Sequence, residues 1–101
     1  KGEVFMLTSK QRAYLRGIAS QYETIFQVGK GGISDAFIRQ VDDALRVREL
    51  IKLRVLDNAE YTSKEASNIL AEATGSDVVQ VIGSKFVLFR RNPKEPVIDL
   101  K

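Results

Sequence analysis

Four consecutive residues, Gly29-Lys30-Gly31-Gly32, have the types and spacing to hold a phosphate. Glycine at the first, third and fourth positions of this turn permits positive φ and removes the side chains that would keep a ligand away from the backbone. The apolar run Ile25-Phe26-Gln27-Val28 precedes the turn, and a helical pattern opens from about Ser34. The loop therefore joins a strand to a helix N-terminus, where amides and the positive end of the helix macrodipole suit an anion. Lys30 adds a full charge at the tip. A tight strand-to-helix turn uses glycine for geometry alone, and Gly29 fits that account; Lys30 and Gly31 answer no geometric need.

The remaining cations extend this surface. Lys10, Arg12 and Arg16 fall away from the centre of an apolar helical stripe, and no acidic residue occurs between Glu3 and Glu23 to pair with them locally. Contact with an anionic partner explains unpaired cations on one helix better than an ordinary solvated face. Lys52 and Arg54 sit on the polar side of an alternating strand and are candidates of the same kind, with solvation an equal account. Arg90 and Arg91, at the end of the last strand, are explained as well by solubility and edge protection. Tyr14 lies beside the cations of the first helix, in place to stack on a base.

Other chemistries are excluded by what the chain lacks. Its 101 residues contain no cysteine and no histidine, which removes thiolate chemistry, Cys-based zinc sites and the usual general base. Asp42 and Asp43 are adjacent, so on a helix they point about 100° apart and do not form an acid/base pair. A P-loop hydrolase would need a longer glycine loop ending in Lys-Ser or Lys-Thr. No catalytic residues, metal site or cofactor are expected. The net charge of +3 is mild and does not by itself indicate a nucleic-acid partner. No apolar stretch approaches a membrane span, and a cytoplasmic protein is the expectation.

The elements that must position these residues can be read from periodicity. Thr8-Ser9-Lys10-Gln11 is a capping box, and Leu15, Ile18, Ala19 and Tyr22 predict a first helix from roughly Ser9 to Gln21. Phe37, Ile38, Val41 and Leu45 predict a second helix with Asp35 in its first turn and Arg46 and Arg48 in its last. Leu50 to Leu56 alternates as a half-buried strand with Lys52 and Arg54 on its outer side. Thr62-Ser63-Lys64-Glu65 caps a third helix that stops at Gly75. A hairpin follows, Asp77 to Ile82 and Lys85 to Arg91, around a type II′ Gly83-Ser84 turn. The order α-β-α-β-α-β-β predicts a two-layer α/β domain with a four-stranded mixed sheet: two parallel strands with a right-handed crossover, and an antiparallel pair. The Pro93- and Pro96-bearing tail reads as an extension, so the domain is expected over 7–91, with 1–6 and 92–101 as terminal extensions. Lys1 to Phe5 precede the one methionine, Met6, and part of that segment is expected to lie upstream of the natural start.

Taken together, the chain resembles the CRM domain family, in particular its single-domain bacterial members of the YhbY/YqeI type. The residues carrying the resemblance are Leu7-Thr8-Ser9-Lys10-Gln11-Arg12 with Leu15-Arg16, and Gln27-Val28-Gly29-Lys30-Gly31-Gly32-Ile33. Glu49-Leu50-Ile51-Lys52-Leu53 and Val79-Gln80-Val81-Ile82-Gly83 with Val87-Leu88-Phe89-Arg90 complete the series. The chain lacks the family's usual proline before the first strand and has Phe89 where a tyrosine is common. The resemblance implies a fold similar to the C-terminal domain of translation initiation factor three. It also implies RNA binding through a GxxG loop, similar in kind to that of KH domains, and the neighbouring basic surface. The expected partner is ribosomal RNA of large-subunit (pre-50S) precursors during ribosome assembly, bound by a monomer, with ribosomal proteins as further partners. The competing reading is a protein-interaction module docking through apolar surface such as Val4-Phe5-Met6 or Val97-Ile98.

Overall fold

The computed structural model describes residues 7–100. Seven elements follow one another: α1 (Ser9–Ala19), β1 (Phe26–Val28), α2 (Asp35–Arg48), β2 (Leu50–Val55), α3 (Ser63–Thr74), β3 (Asp77–Ile82) and β4 (Lys85–Phe89). Both expected capping boxes form. The Gln11 amide donates to Thr8 Oγ1 and the Thr8 amide to Gln11 Oε1, each at 3.0 Å; Thr62 and Glu65 repeat the exchange at 2.9 and 3.1 Å. Each box satisfies two amides that a helix start otherwise leaves without partners. α3 ends on Gly75 at φ +69°, a left-handed stop that glycine adopts without strain.

The sheet runs β1-β2-β4-β3. β1 and β2 are parallel, with Val28 beside Val55, and β4 is antiparallel to both β2 and β3. In the β3–β4 turn Gly83 has φ +59° while Ser84 does not share a positive φ, the signature of the expected type II′ connection. β2 and β4 are the interior strands, β4 buried from Phe86 to Phe89, whereas β3 is an edge whose far end is open. A bulge between Val78 and Gln80 shifts the β3 register.

Period two decides how the layers assemble. On one side of the sheet Ile51, Leu53, Val55, Phe86 and Leu88 pack with Val41 and Leu45 of α2 and Ala66 and Leu70 of α3. On the other side Leu50, Val79, Val87 and Phe89 pack with Leu15 and Ala19 of α1 and with Ile98. The two-layer expectation therefore describes α2 and α3 on the sheet, and α1 with the tail adds cover on the opposite face. Fully burying a side chain such as Phe86 or Phe89 contributes about 2–3 kcal/mol, so the second cluster is a substantial part of the core.

The tail departs from its reading as an extension beyond the core. Its anchor is Glu49, a fully buried carboxylate at the α2–β2 junction, held at φ +65°. Glu49 Oε1 accepts the amides of Val97 and Ile98 at 2.8 Å, and Oε2 accepts that of Asn92 at 2.6 Å. Pro93 opens a bend, while Ile98, between the prolines and the chain end, completes the core. Arg90 is equally structural: its guanidinium donates to the Asp42 carboxylate and backbone carbonyl and to the Thr74 carbonyl, tying β4 to α2 and α3.

Glu49→Ala is expected to cost about 3 kcal/mol or more, because three amides lose a charged acceptor and Ile98 loses its tether. Denaturant unfolding checks this; a loss well below 1 kcal/mol would show that the carboxylate does not hold the tail.

Candidate nucleic-acid interface

The glycine loop leaves the sheet at the C-terminal end of β1, level with Val55 of β2. Its four residues do different work. Gly32 has φ +75° and its amide donates to the Gly29 carbonyl at 2.9 Å, so that amide closes the turn and is not offered outward. Gly29 lies outside the left-handed region, and a Cβ there would meet Leu56 Cδ1 at 3.4 Å, an ordinary contact. Gly31 also lies outside the left-handed region, and a Cβ there would meet nothing within 4 Å. Neither backbone conformation nor crowding calls for glycine at Gly31. Lys30 and Gly31 are both exposed, just ahead of α2, whose N-cap Ser34 accepts from the Phe37 amide at 3.1 Å. The loop thus presents a backbone stripped of side chains, one lysine, and the positive end of a 14-residue helix.

The cations separate into committed and free groups. Arg12 is half-buried and its guanidinium donates to the Val78 carbonyl of β3, close to Asp77. The absence of acids near Arg12 in sequence was a poor guide, because its counter-charge comes from β3. Lys52 is also occupied, its Nζ donating at 3.3 Å to the carbonyls of Ala19 and Tyr22, where it caps the end of α1. By contrast Lys10, Lys30 and Arg54 are exposed and Arg16 is half-exposed. Among the described residues the ion pairs are Arg46–Asp43 and Arg90–Asp42, and these four cations enter neither. Helical geometry puts Arg12 and Arg16 about 40° apart on one flank of α1, with Lys10 about 120° from Arg16 on the outward side. Tyr14 and Ile18 occupy the other flank, packed against the second cluster.

Strand register adds a cation that sequence reading missed. Gln27 lies beside Arg54, Arg54 opposite Lys85, and Lys85 opposite Ile82. All four are exposed, and the row crosses the sheet at the glycine-loop end. α1 covers the neighbouring part of this face, where Val87 is fully buried and Lys52 half-buried. Lys85 follows a turn and opens a continuous apolar run; its place beside Arg54 emerges only once β4 is known to insert next to β2.

A separate groove of about 430 Å³ lies toward the other end of the sheet, lined by Tyr22, Glu23, Ile25, Val47, Arg48 and Val97 among others. Of the proposed apolar surface Val97-Ile98, Val97 is 61% exposed and Ile98 is core; Val4-Phe5-Met6 lies outside the described residues. Among the described residues there is no group of His, Cys, Asp or Glu side chains that could hold a metal, and no helix long and apolar enough to cross a membrane.

A mixed four-stranded sheet with helices on both faces and a lysine-bearing glycine loop at its parallel edge defines a small α/β module. Residues 7–90 match the model of the CRS1 / YhbY (CRM) domain. The chain is 42% identical over 95 residues to the Bacillus subtilis protein named probable RNA-binding protein YqeI, covering 94% of this chain and 99% of that one. It is 41% identical over 91 residues to the probable RNA-binding protein MJ0652 of Methanocaldococcus jannaschii, covering 88% of this chain and 66% of the relative. In structure it is similar to the Staphylococcus aureus protein SAV1595, a candidate RNA-binding protein solved in solution. That match has a TM-score of 0.78 and 49% identity, and covers 95% of this chain and 100% of the other. The chain belongs to the CRS1/YhbY (CRM) domain family.

Two outcomes follow from the site geometry. Gly31→Ala is expected to leave stability unchanged or raised by up to about 1 kcal/mol, whereas Gly32→Ala loses about 1–2 kcal/mol by forcing a Cβ into left-handed backbone. Thermal unfolding of the two variants checks the contrast; equal losses would show that Gly31 is a geometric glycine. The second concerns Asp77, whose carboxyl is pushed above its ordinary value of 3.8 by burial and drawn part-way back by the Arg12 guanidinium. The folded protein binds this proton more tightly than the unfolded chain, so the stability contribution of Asp77 falls as pH rises from 3.8 through the raised value. Asp77→Asn is therefore expected to compare more favourably with wild type at pH 7 than at pH 3 in urea unfolding. The reverse order would mean that the Arg12 attraction outweighs burial.

Proposed function

We propose that this protein is a non-enzymatic RNA-binding protein, acting as a cytoplasmic monomer on ribosomal RNA in large-subunit precursors. The observation that carries the reading is Gly31: a glycine without conformational or steric need, next to an exposed lysine and ahead of a helix N-terminus. Such a position is accounted for by a partner that must approach the backbone closely. Relatives named as RNA-binding proteins, and membership in the CRM family, support RNA as that partner. The large-subunit precursor follows from the resemblance to YhbY/YqeI-type proteins.

Mechanistically, Lys30 and the Gly31 backbone hold a phosphate at the start of α2, while Gly29 and Gly32 shape the turn that presents them. Arg16, Lys10 and Arg54 supply further charge. Arg12 and Lys52, spent on carbonyls of the fold, support this surface by holding α1 on the sheet and add only their net charge to the field. Affinity is then largely electrostatic and falls with salt, and shape and unpaired bases provide selectivity. Phe89 is fully buried, and any contact that a tyrosine hydroxyl would make from that position is lost here.

Lys30→Ala is expected to weaken RNA binding and to reduce the slope of log affinity against log salt by about one contact. Gradient sedimentation of lysate tests the ribosomal assignment. Wild type is expected in large-subunit precursor fractions, and a folded Lys30→Glu, Arg16→Glu double variant at the top. Co-sedimentation of both would favour the second reading, a protein contact, for which the groove lined by Tyr22, Ile25, Val47 and Val97 provides the surface.

A further inference from the structure

The row Gln27–Arg54–Lys85–Ile82 carries a feature that the fold itself does not explain. Arg54 and Lys85 are directly opposite one another on antiparallel strands, both exposed, with no carboxylate in the row and neither in an ion pair among the described residues. Like charges directly opposite across a strand pair destabilise a sheet. Among the described residues nothing buries the pair, since α1 covers the adjoining row instead. An anion seated between the two side chains would turn the repulsion into a binding contribution.

The surroundings narrow the kind of anion. At one end the row continues through Gln27 and Val28 into Gly29-Lys30-Gly31, and at the other it ends on Ile82, 57% exposed. With strands about 4.8 Å apart, the row spans about 14 Å, longer than one phosphate group. The outside of an RNA duplex presents phosphates and sugars, which give an isoleucine nothing to pack on. A single strand brings phosphates together with unpaired base faces.

We propose that this uncovered strip of the sheet is a second subsite, which takes a single-stranded RNA segment leaving the glycine loop. Phosphate lies between Arg54 and Lys85, Gln27 hydrogen-bonds the segment near the loop, and Ile82 supports an unpaired base at the far end. The subsite rests on the RNA-binding reading of the glycine loop and names the form of RNA that the surface accepts. It also gives Lys85 and Ile82 roles that their positions in sequence do not suggest.

The test is fluorescence anisotropy across a salt series with labelled single-stranded oligouridine and, separately, a blunt RNA duplex, using Lys85→Gln, Arg54→Gln, Ile82→Ser and Lys30→Ala. Lys85→Gln and Arg54→Gln are each expected to weaken oligouridine binding and lower its salt slope by about 0.7, the single-strand value per phosphate. Ile82→Ser is expected to weaken binding with the slope unchanged, because its contact is apolar. Thermal unfolding of Lys85→Gln should show no loss of stability, since the variant relieves a like-charge pair; this separates lost binding from lost folding. If the row variants bind oligouridine like wild type while Lys30→Ala does not, the second subsite is wrong and the loop reading stands. Wild type binding the duplex but not oligouridine also overturns the subsite. If Lys30→Ala too leaves binding unchanged, or wild type binds neither RNA, the loop reading falls with it.

Discussion

The structure depends on the alternation of β2. Its residues Ile51, Leu53 and Val55 face α2 and α3, and Leu50, Lys52 and Arg54 face the other way. A strand has no freedom in this respect, because neighbouring side chains must point to opposite faces. One side of β2 is therefore apolar throughout. The other begins with a buried leucine, passes through a half-buried lysine and ends on an exposed arginine. α1 can cover only the apolar part of that gradient, and Lys52 marks its limit by capping the helix end. The rest of the face remains open and basic, beside the loop that the parallel β1–β2 pairing delivers.

Much of the fold was legible because local signals agreed with the global arrangement. The capping boxes at Thr8 and Thr62, the stop at Gly75 and the turn at Gly83 each rest on interactions within a few residues, and each appears as expected. Long-range contacts were the hidden part. Glu49 reads as an ordinary charged residue between a helix and a strand, yet it is a buried clamp for amides more than forty positions away. In sequence Ile98 reads as tail because two prolines precede it. No local pattern shows that a buried carboxylate will bring it home.

The candidate site divides along the same line. The glycine loop is contiguous, so its residues could be singled out together, but the assignment of work among them needed backbone angles and the space around each Cα. The cations are scattered through the chain, and charge alone did not separate those spent on the fold from those available to a ligand. Arg12 donates to a β3 carbonyl and Lys52 to carbonyls at the end of α1, whereas Arg54 is open to solvent. Lys85 acquires its meaning from sheet order, which places the last strand against the second. The candidate surface is thus a by-product of how a partly apolar sheet face is covered.

The measurement that tests this account most directly is the perturbation of backbone amide signals when isotope-labelled protein is titrated with RNA. The account predicts the largest shifts at Lys30 and Gly31, spreading to the end of β1 and the start of α2. Shifts concentrated around Tyr22, Val47 and Val97, with the glycine loop unmoved, would contradict it and place the interface on the groove at the opposite end of the sheet.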